Sequence, residues 1–309
     1  MQFMGYRRED GRVGVRNYVL ILPGCACASE TCRLVASEVR GTKNVIMNVG
    51  CSDVQANTDM NLRVLTGFAL NPNVSGVIVI GLGCETVGHR ELAAKIRAET
   101  SKPVVSFGIQ EIGGTVATTA AAVKAAREMV AQASEQQREP CDASDLFVAI
   151  ECGGSDATSG IASNPAVGNM SDRIVDLGGT TMMSETIEFV GAEHILAKRG
   201  ATPEIHDQII RICEDYEKHL AGVGQDCRTG QPTTGNKAGG LSTIEEKSLG
   251  CIHKGGTRPV VEVLQEAARP TKKGALIMDT PGYDISSVTS MVAGGATVVV
   301  FTTGRGTPT

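Results

Sequence analysis

A chain of 309 residues with a formal net charge of -5 and only 3% aromatic residues lacks both the basic footprint and the stacking side chains that hold nucleic acid. No apolar run approaches the ~20 residues that span a bilayer, and residues 1–10 are polar with no signal segment, so a cytoplasmic protein without a membrane partner is expected. In that compartment its ten cysteines are thiols, metal ligands or small buried hydrophobes rather than disulfides.

Short β-branched apolar runs at 18–22, 45–49, 77–80, 104–107, 146–150, 275–278 and 297–301 predict buried strands. Between most of them lie Ala-, Leu-, Glu- and Arg-rich stretches with helical spacing, at 31–39, 89–99, 118–137 and 259–268. The alternation predicts an α/β fold of repeated strand–turn–helix units in mainly parallel sheets, as two Rossmann-like subdomains. The polar, proline-bearing stretch 134–144 separates an Ala-rich helix from a fresh strand. A first domain is therefore expected over 1–140, and a second, carrying much of the active site, over 141–309. Residues 222–240 are rich in Gly, Thr, Gln and Pro and too long for an ordinary connection, which reads as an active-site loop.

Four segments share one arrangement, a strand ending in a small-residue turn with a cysteine or acid before a helix: LILPGCACASET, VIVIGLGCETVGH, FVAIECGGSDATSG and LIMDTPGYDISS. Ligands of open α/β sheets bind beyond such strand ends, where helix N–H groups face an anion. Cys27, Cys51, Cys84 and Cys152 all follow predicted strands, where thiolates from distant positions can meet iron or zinc. The competing reading is structural, because no CxxC pair or compact ligand run is present. Cys141, Cys213, Cys227 and Cys251 lack the strand-end position and are read as structural.

Ser155 and Asp156 offer a hydroxyl and a carboxylate beside glycines that admit a ligand, although Asp156 also suits a helix N-cap. Glu185 and Glu188 stand one helical turn apart after the strand-like 180–183, with Ser184 as a cap for their helix. They can face a metal or a substrate hydroxyl, or simply solvent. The stretch 236–254 gathers Lys237, Glu245, Glu246, Lys247, His253 and Lys254 among glycines. Such density points to anion binding, and a lysine beside a substrate carboxylate acidifies the adjacent C–H or serves as base; an ordinary charged helix is the alternative. Thr303 and Arg305 in FTTGRG follow a strong strand and suit a carboxylate clamp, or the surface. GxGxxG after the first strand, GxxxxGK[ST], GxSxG and HExxH are all missing from the sequence, which demotes dinucleotide, P-loop, serine-hydrolase and zincin chemistry.

Five strings, GYRREDGRVGVRNYVLI from Gly5, GLGCE from Gly81, CGGSDATSGIASNPAVG from Cys152, GNKAGGLSTIEEKSLG from Gly235 and MDTPGYDISSVTSMVAGGATVVVFTTGRG from Met278, together resemble the altronate and galactarate dehydratase family over essentially the whole chain. That family also includes the large subunit of sulfolactate sulfo-lyase. The resemblance implies a metal-dependent lyase, with Fe²⁺ or Mn²⁺, that abstracts the proton α to a carboxylate and expels a β-substituent to leave a 2-keto acid. Water leaves in the dehydratases and sulfite in the sulfo-lyase. Joined with strand-end placement, it makes Cys84, Glu85, Cys152, Glu185 and Glu188 the expected metal region. Lys247 and Asp156 become the expected catalytic groups, and Ser155, Lys237, Thr303 and Arg305 the expected substrate contacts.

The sequence departs from the family pattern around Cys51, which reads NVGCSD where GCG and a nearby histidine are expected, and in the CAC turn at Cys25. The small SAF-type domain that precedes this region in the dehydratases is expected as a separate small subunit, a longer C-terminus is expected beyond FTTGRGTPT, and a homo-oligomer is expected. The competing function is a non-catalytic sugar-acid-binding subunit.

Overall fold

The computed structural model describes residues 1–308; Thr309, the last residue of the expected second domain, lies outside them. The chain divides into two compact units, Gln2–Cys141 and the residues from Asp142 onward. Both are built on parallel sheets flanked by helices, the α/β class that the alternation predicts.

The N-terminal unit runs β1 (Gln2–Arg7), β2 (Val13–Gly14), β3 (Tyr18–Pro23), α1 (Ser29–Glu38), β4 (Thr42–Asn44), α2 (Gln55–Leu70), β5 (Val74–Gly81), α3 (His89–Ala98), β6 (Val104–Gly108), α4 (Ile109–Ile112), α5 (Thr115–Glu135) and β7 (Glu139–Asp142). Its main sheet is parallel, in the order β4-β3-β5-β6, while β2, β1 and β7 form a small separate sheet. Side chains alternate along these strands. Val19, Ile21, Ile78 and Ile80 therefore pack with Val35 of α1 and Ala122, Ala126 and Met129 of α5. Leu20, Leu22, Val77 and Val79 point the other way, onto Leu65 and Ala69 of α2 and Leu92 and Ile96 of α3. Each such large aliphatic side chain contributes about 1.5–3 kcal/mol by leaving water.

The expected strand at 45–49 is a correction. The ladder ends at Asn44, paired with Ile21, and the chain then leaves the sheet. Met47 exchanges hydrogen bonds with the Ser29 hydroxyl, and the Val49 carbonyl accepts from the Ala26 N–H. The apolar run thus pairs with a turn instead of a strand.

The C-terminal unit runs β8 (Phe147–Gly153), α6 (Asn164–Asp176), β9 (Thr180–Met183), α7 (Glu193–Leu196), α8 (Pro203–Gly222), α9 (Cys227–Gly230), α10 (Thr234–Ala238), α11 (Ile244–Ile252), β10 (Val260–Leu264), β11 (Ala275–Met278), α12 (Asp284–Ala293) and β12 (Val298–Thr303). Its five strands are parallel in the order β10-β11-β9-β8-β12. The helix expected at 259–268 is the second correction, since 260–264 forms the edge strand β10. Val260, Val261 and Val263 are β-branched, and Val260 and Val263 pair with Ala275 and Ile277 of β11, so sheet propensity overrides the helical spacing. The supposed loop 222–240 contains α9 and α10, each started by a capping side chain, Asp226 and Thr233.

Helix α6 receives the segment after α11 at unusually close range. A Cβ at Gly168 would collide with the His253 carbonyl oxygen, and one at Gly160 would press on Gly250; only glycine admits this approach. The next turn is pinned by Asp172, whose carboxylate accepts from the Thr257 N–H at 2.7 Å, the Thr257 hydroxyl at 2.7 Å and the Arg258 N–H at 3.1 Å. Burial pushes the Asp172 carboxyl up, but these donors pull it further down, so it sits below its ordinary value. A depressed carboxyl contributes stability that is present above the unfolded pKa of about 3.9 and lost as pH falls through the lower folded value. Asp172→Asn is expected to lower stability by about 1–3 kcal/mol at neutral pH. In thermal melts its deficit should shrink below about pH 4, and a deficit independent of pH would show that the charge plays no part.

Candidate active site

The strand ends of β8, β9 and β11 converge with the end of α11. Helix α11 begins at the Thr243 cap, and Lys247, Cys251 and Lys254 follow at helical intervals of four and three, so they share one face. That face meets β8 and the turn after β9. Lys254 is fully buried, and its Nζ lies 2.5 Å from Glu188 Oε2 and 3.2 Å from Cys152 Sγ. Cys152 Sγ stands 3.1 Å from the same carboxylate oxygen and 3.7 Å from Cys251 Sγ. Lys247 Nζ donates to Gln231 Oε1 at 2.9 Å and stands 4.0 Å from Glu188 Oε1.

Burial opposes the charge of Glu188, yet Lys254 and then Lys247 more than offset it and hold the carboxyl below its usual range. The Cys152 thiol is pushed well up by Cys251 and by burial, so it is neutral at physiological pH. Burial likewise opposes the Lys254 ammonium, while Cys152, Glu188 and Glu151 raise it. With Cys152 uncharged, the partner that keeps Lys254 protonated is Glu188.

A second group lies beside the first. Glu151, Glu185 and Asp284 bring carboxylate oxygens within 4.8 Å of one another. Glu151 is 0% exposed and Glu185 3%. Ser287 donates to Glu151, Ser287 shares a 2.5 Å hydrogen bond with Ser184, and the Cys152 N–H donates to the other Glu151 oxygen at 3.0 Å. Glu185 adopts φ of 68°, a conformation that costs a non-glycine residue about 1–3 kcal/mol. The Thr280 hydroxyl accepts from its N–H at 2.9 Å and holds it there. Burial raises the carboxyls of Glu151, Glu185 and Asp284, Glu185 to about 11; neighbouring carboxylates raise them further, and the Lys254 ammonium offsets only part of this.

The two groups differ as cation sites. Between Cys152, Glu188 and Cys251 the Lys254 ammonium already supplies the positive charge. Glu151, Glu185 and Asp284 crowd three oxygen donors together, and burial penalises their charges; a hard divalent cation relieves that penalty. These three residues fit such an ion.

The expected residues fall into three sets. Cys152, Glu185, Glu188, Ser155, Lys247 and Arg305 line one cavity of 480 Å³, together with Asp284, Gln231 and Asn236. Arg305 reaches its rim, with Nη1 donating to the Gly235 carbonyl at 2.5 Å. Asp156, Lys237 and Thr303 do not line this cavity. Asp156 accepts from the Ser159 N–H at 2.8 Å and the Thr158 hydroxyl at 2.7 Å, as a cap does. Thr303 accepts from the Gly306 N–H, and Lys237 is exposed. Cys84 and Glu85 belong to the N-terminal unit, where Glu85 accepts from the N–H groups of Leu82, Gly83 and His89.

The helix expected across Glu185 and Glu188 is only a single turn, Thr186–Glu188, and Ser184 bonds Ser287 instead of capping it. Cys251, read as structural, touches Cys152. Glu151, Asp284 and the paired role of Lys254 escaped the sequence reading. An acid inside the apolar strand FVAIEC, and lysines seven apart across Cys251, were the available signals.

Residues 143–309 match the family described as D-galactarate/altronate dehydratase, C-terminal, and residues 5–134 match the second domain of D-galactarate dehydratase/altronate hydrolase. The chain is 40% identical over 309 residues to (2R)-sulfolactate sulfo-lyase subunit beta of Chromohalobacter salexigens, covering 98% of this chain and 78% of that one. It is 37% identical to galactarate dehydratase (L-threo-forming) of Escherichia coli over 99% of this chain and 62% of the relative. Identity to altronate dehydratase of Bacillus subtilis is 35%, over 99% and 63%. The chain thus spans under two thirds of both dehydratases' length. Matches to both family regions and identities of 35–40% across nearly the whole chain make this protein a member of the galactarate/altronate dehydratase family.

Proposed function

We propose that the C-terminal cavity eliminates a β-leaving group from a small 2-hydroxy acid, and that the group is water leaving a sugar acid to give a 2-keto-3-deoxy acid. The observation that carries this reading is one cavity lined by Lys247 and Arg305 as well as by Glu185, Glu188 and Asp284. Arg305 at the rim suits the planar carboxylate of the substrate. Lys254 takes up most of the charge of Glu188 at 2.5 Å, which leaves Lys247, 4.0 Å from that carboxylate, free of a tight pair and able to take the α-proton. Ser155 and Gln231 supply hydrogen bonds to substrate hydroxyls. Glu151, Glu185 and Asp284 hold a divalent cation, Fe²⁺ or Mn²⁺, which when bound stabilises the negative charge that develops on the substrate carboxylate.

A second reading, expulsion of sulfite, is favoured by the 40% identity to a sulfolactate sulfo-lyase subunit. That relative is named a subunit beta, which supports a partner subunit for this chain; a small SAF-type subunit in a homo-oligomeric assembly is the form proposed for it. Anaerobic assays with Fe²⁺, with and without the co-expressed small subunit, separate the readings. 2-Keto acid from altronate or galactarate supports the dehydratase, and sulfite from sulfolactate supports the sulfo-lyase. Metal binding without turnover of any of the three supports a binding subunit.

Three substitutions divide the roles. Lys247→Ala is expected to lower kcat by about 10²–10⁴-fold with metal affinity retained, and unchanged turnover would remove it as the base. Glu185→Gln is expected to lose bound metal, measured by elemental analysis after dialysis. Lys254→Met strands a buried carboxylate and is expected to cost about 3–5 kcal/mol of stability; a denaturant midpoint equal to that of the parent would contradict the pairing with Glu188.

A further inference from the structure

The N-terminal unit holds a separate cysteine site. Among the described residues the exposed cysteines are Cys27, Cys51 and Cys84, whereas Cys25, Cys32, Cys141, Cys152, Cys213, Cys227 and Cys251 are buried. Cysteine ordinarily packs as a small hydrophobe, so exposure of these three together calls for a ligand. All three lie at the carboxyl edge of one parallel sheet. Strands β3 and β5 are neighbours, with Pro23 beside Ile80, and their following turns carry Cys27 and Cys84.

The chain after β4 folds over the same two turns. Its Val49 carbonyl accepts from the Ala26 N–H at 2.7 Å, and its Gly50 carbonyl accepts from the Thr86 N–H at 2.8 Å. Gly50 is pressed so closely on Cys25 that a Cβ would collide with it, at φ of 134°. Gly50 is therefore clamped between the turns that bear Cys27 and Cys84, and the next residue is Cys51. This clamp also accounts for the chain leaving the sheet at Asn44.

We propose that Cys27, Cys51 and Cys84 hold a [4Fe–4S] cluster. Among the described residues, the sets of three donors lying within 4.8 Å of one another are confined to the C-terminal unit. The three thiols are thus spaced more widely than ligands of one tetrahedral zinc ion, which binds sulfur at about 2.3 Å, and a polynuclear cluster spans the wider gap. Such clusters ordinarily take four thiolates. Three leave one iron without a protein sulfur and open to an oxygen ligand, such as a carboxylate or hydroxyl. This site is independent of the carboxylate cavity and of the proposal made for it.

The full chain is reconstituted anaerobically with ferric iron, sulfide and dithiothreitol, then desalted. The expected result is visible thiolate-to-iron charge-transfer absorption, with about four iron and four acid-labile sulfide per chain. Cys27→Ser, Cys51→Ser and Cys84→Ser each lose it with unchanged far-UV circular dichroism, while Cys213→Ser and Glu185→Gln retain it. Retention of the cluster in the triple serine variant overturns the assignment. So does binding of zinc or iron to these thiols with no labile sulfide, which marks a mononuclear site. Because sulfide and absorption are read without substrate, failure here leaves the elimination reading untouched, and the reverse holds.

Discussion

The arrangement of the C-terminal cavity depends on one buried ion pair, Lys254 with Glu188. Neither charge survives burial alone, since the desolvation of each amounts to several kcal/mol. At 2.5 Å they compensate one another, and that requirement ties the end of α11 to the turn after β9. The tie brings Lys247 and Cys251, which share a face with Lys254, against the end of β8. Glycines at 160, 168 and 250 allow the approach by removing the side chains that would block it.

Compensation of this kind also separates two clusters that look alike in composition. Cys152, Glu188 and Cys251 already enclose an ammonium, and the Cys152 thiol remains neutral beside it. Glu151, Glu185 and Asp284 bond hydroxyls, N–H groups and, between Glu151 and Glu185, one another; the Lys254 ammonium lowers them less than burial and mutual repulsion raise them, so their carboxyls are raised. Buried like charges that a neighbouring cation only partly compensates stay protonated or recruit a further cation. The strained backbone at Glu185 fits the same picture, because the Thr280 hydroxyl and the turn after β11 hold the carboxyl where unconstrained chain would not place it.

Both units exploit the parallel sheet in the same way. Parallel strands direct every carboxyl end to one edge, so turns far apart in sequence become neighbours there. In the N-terminal unit that edge carries the exposed cysteines, and in the C-terminal unit the acids and lysines.

Much of this was legible in the amino-acid sequence. Continuous β-branched runs announced β3, β5, β6, β8, β11 and β12, and their small-residue turns marked the edges where Cys152, Glu185, Glu188, Lys247 and Arg305 line a cavity. The failures are of one kind. At 45–49 and 260–264 the local pattern was ambiguous, and a hydrogen-bond partner from elsewhere in the chain, Ser29 in one case and β11 in the other, decided the outcome. Pairing of Lys254 with Glu188 instead of solvent, the neutrality of Cys152 and the meeting of Glu151 with Asp284 were likewise beyond the sequence. Each turns on a through-space distance and on the loss of water around a charge. Residue order determined which chemical groups stand at the strand ends, and only tertiary packing decided which of them lost their water together.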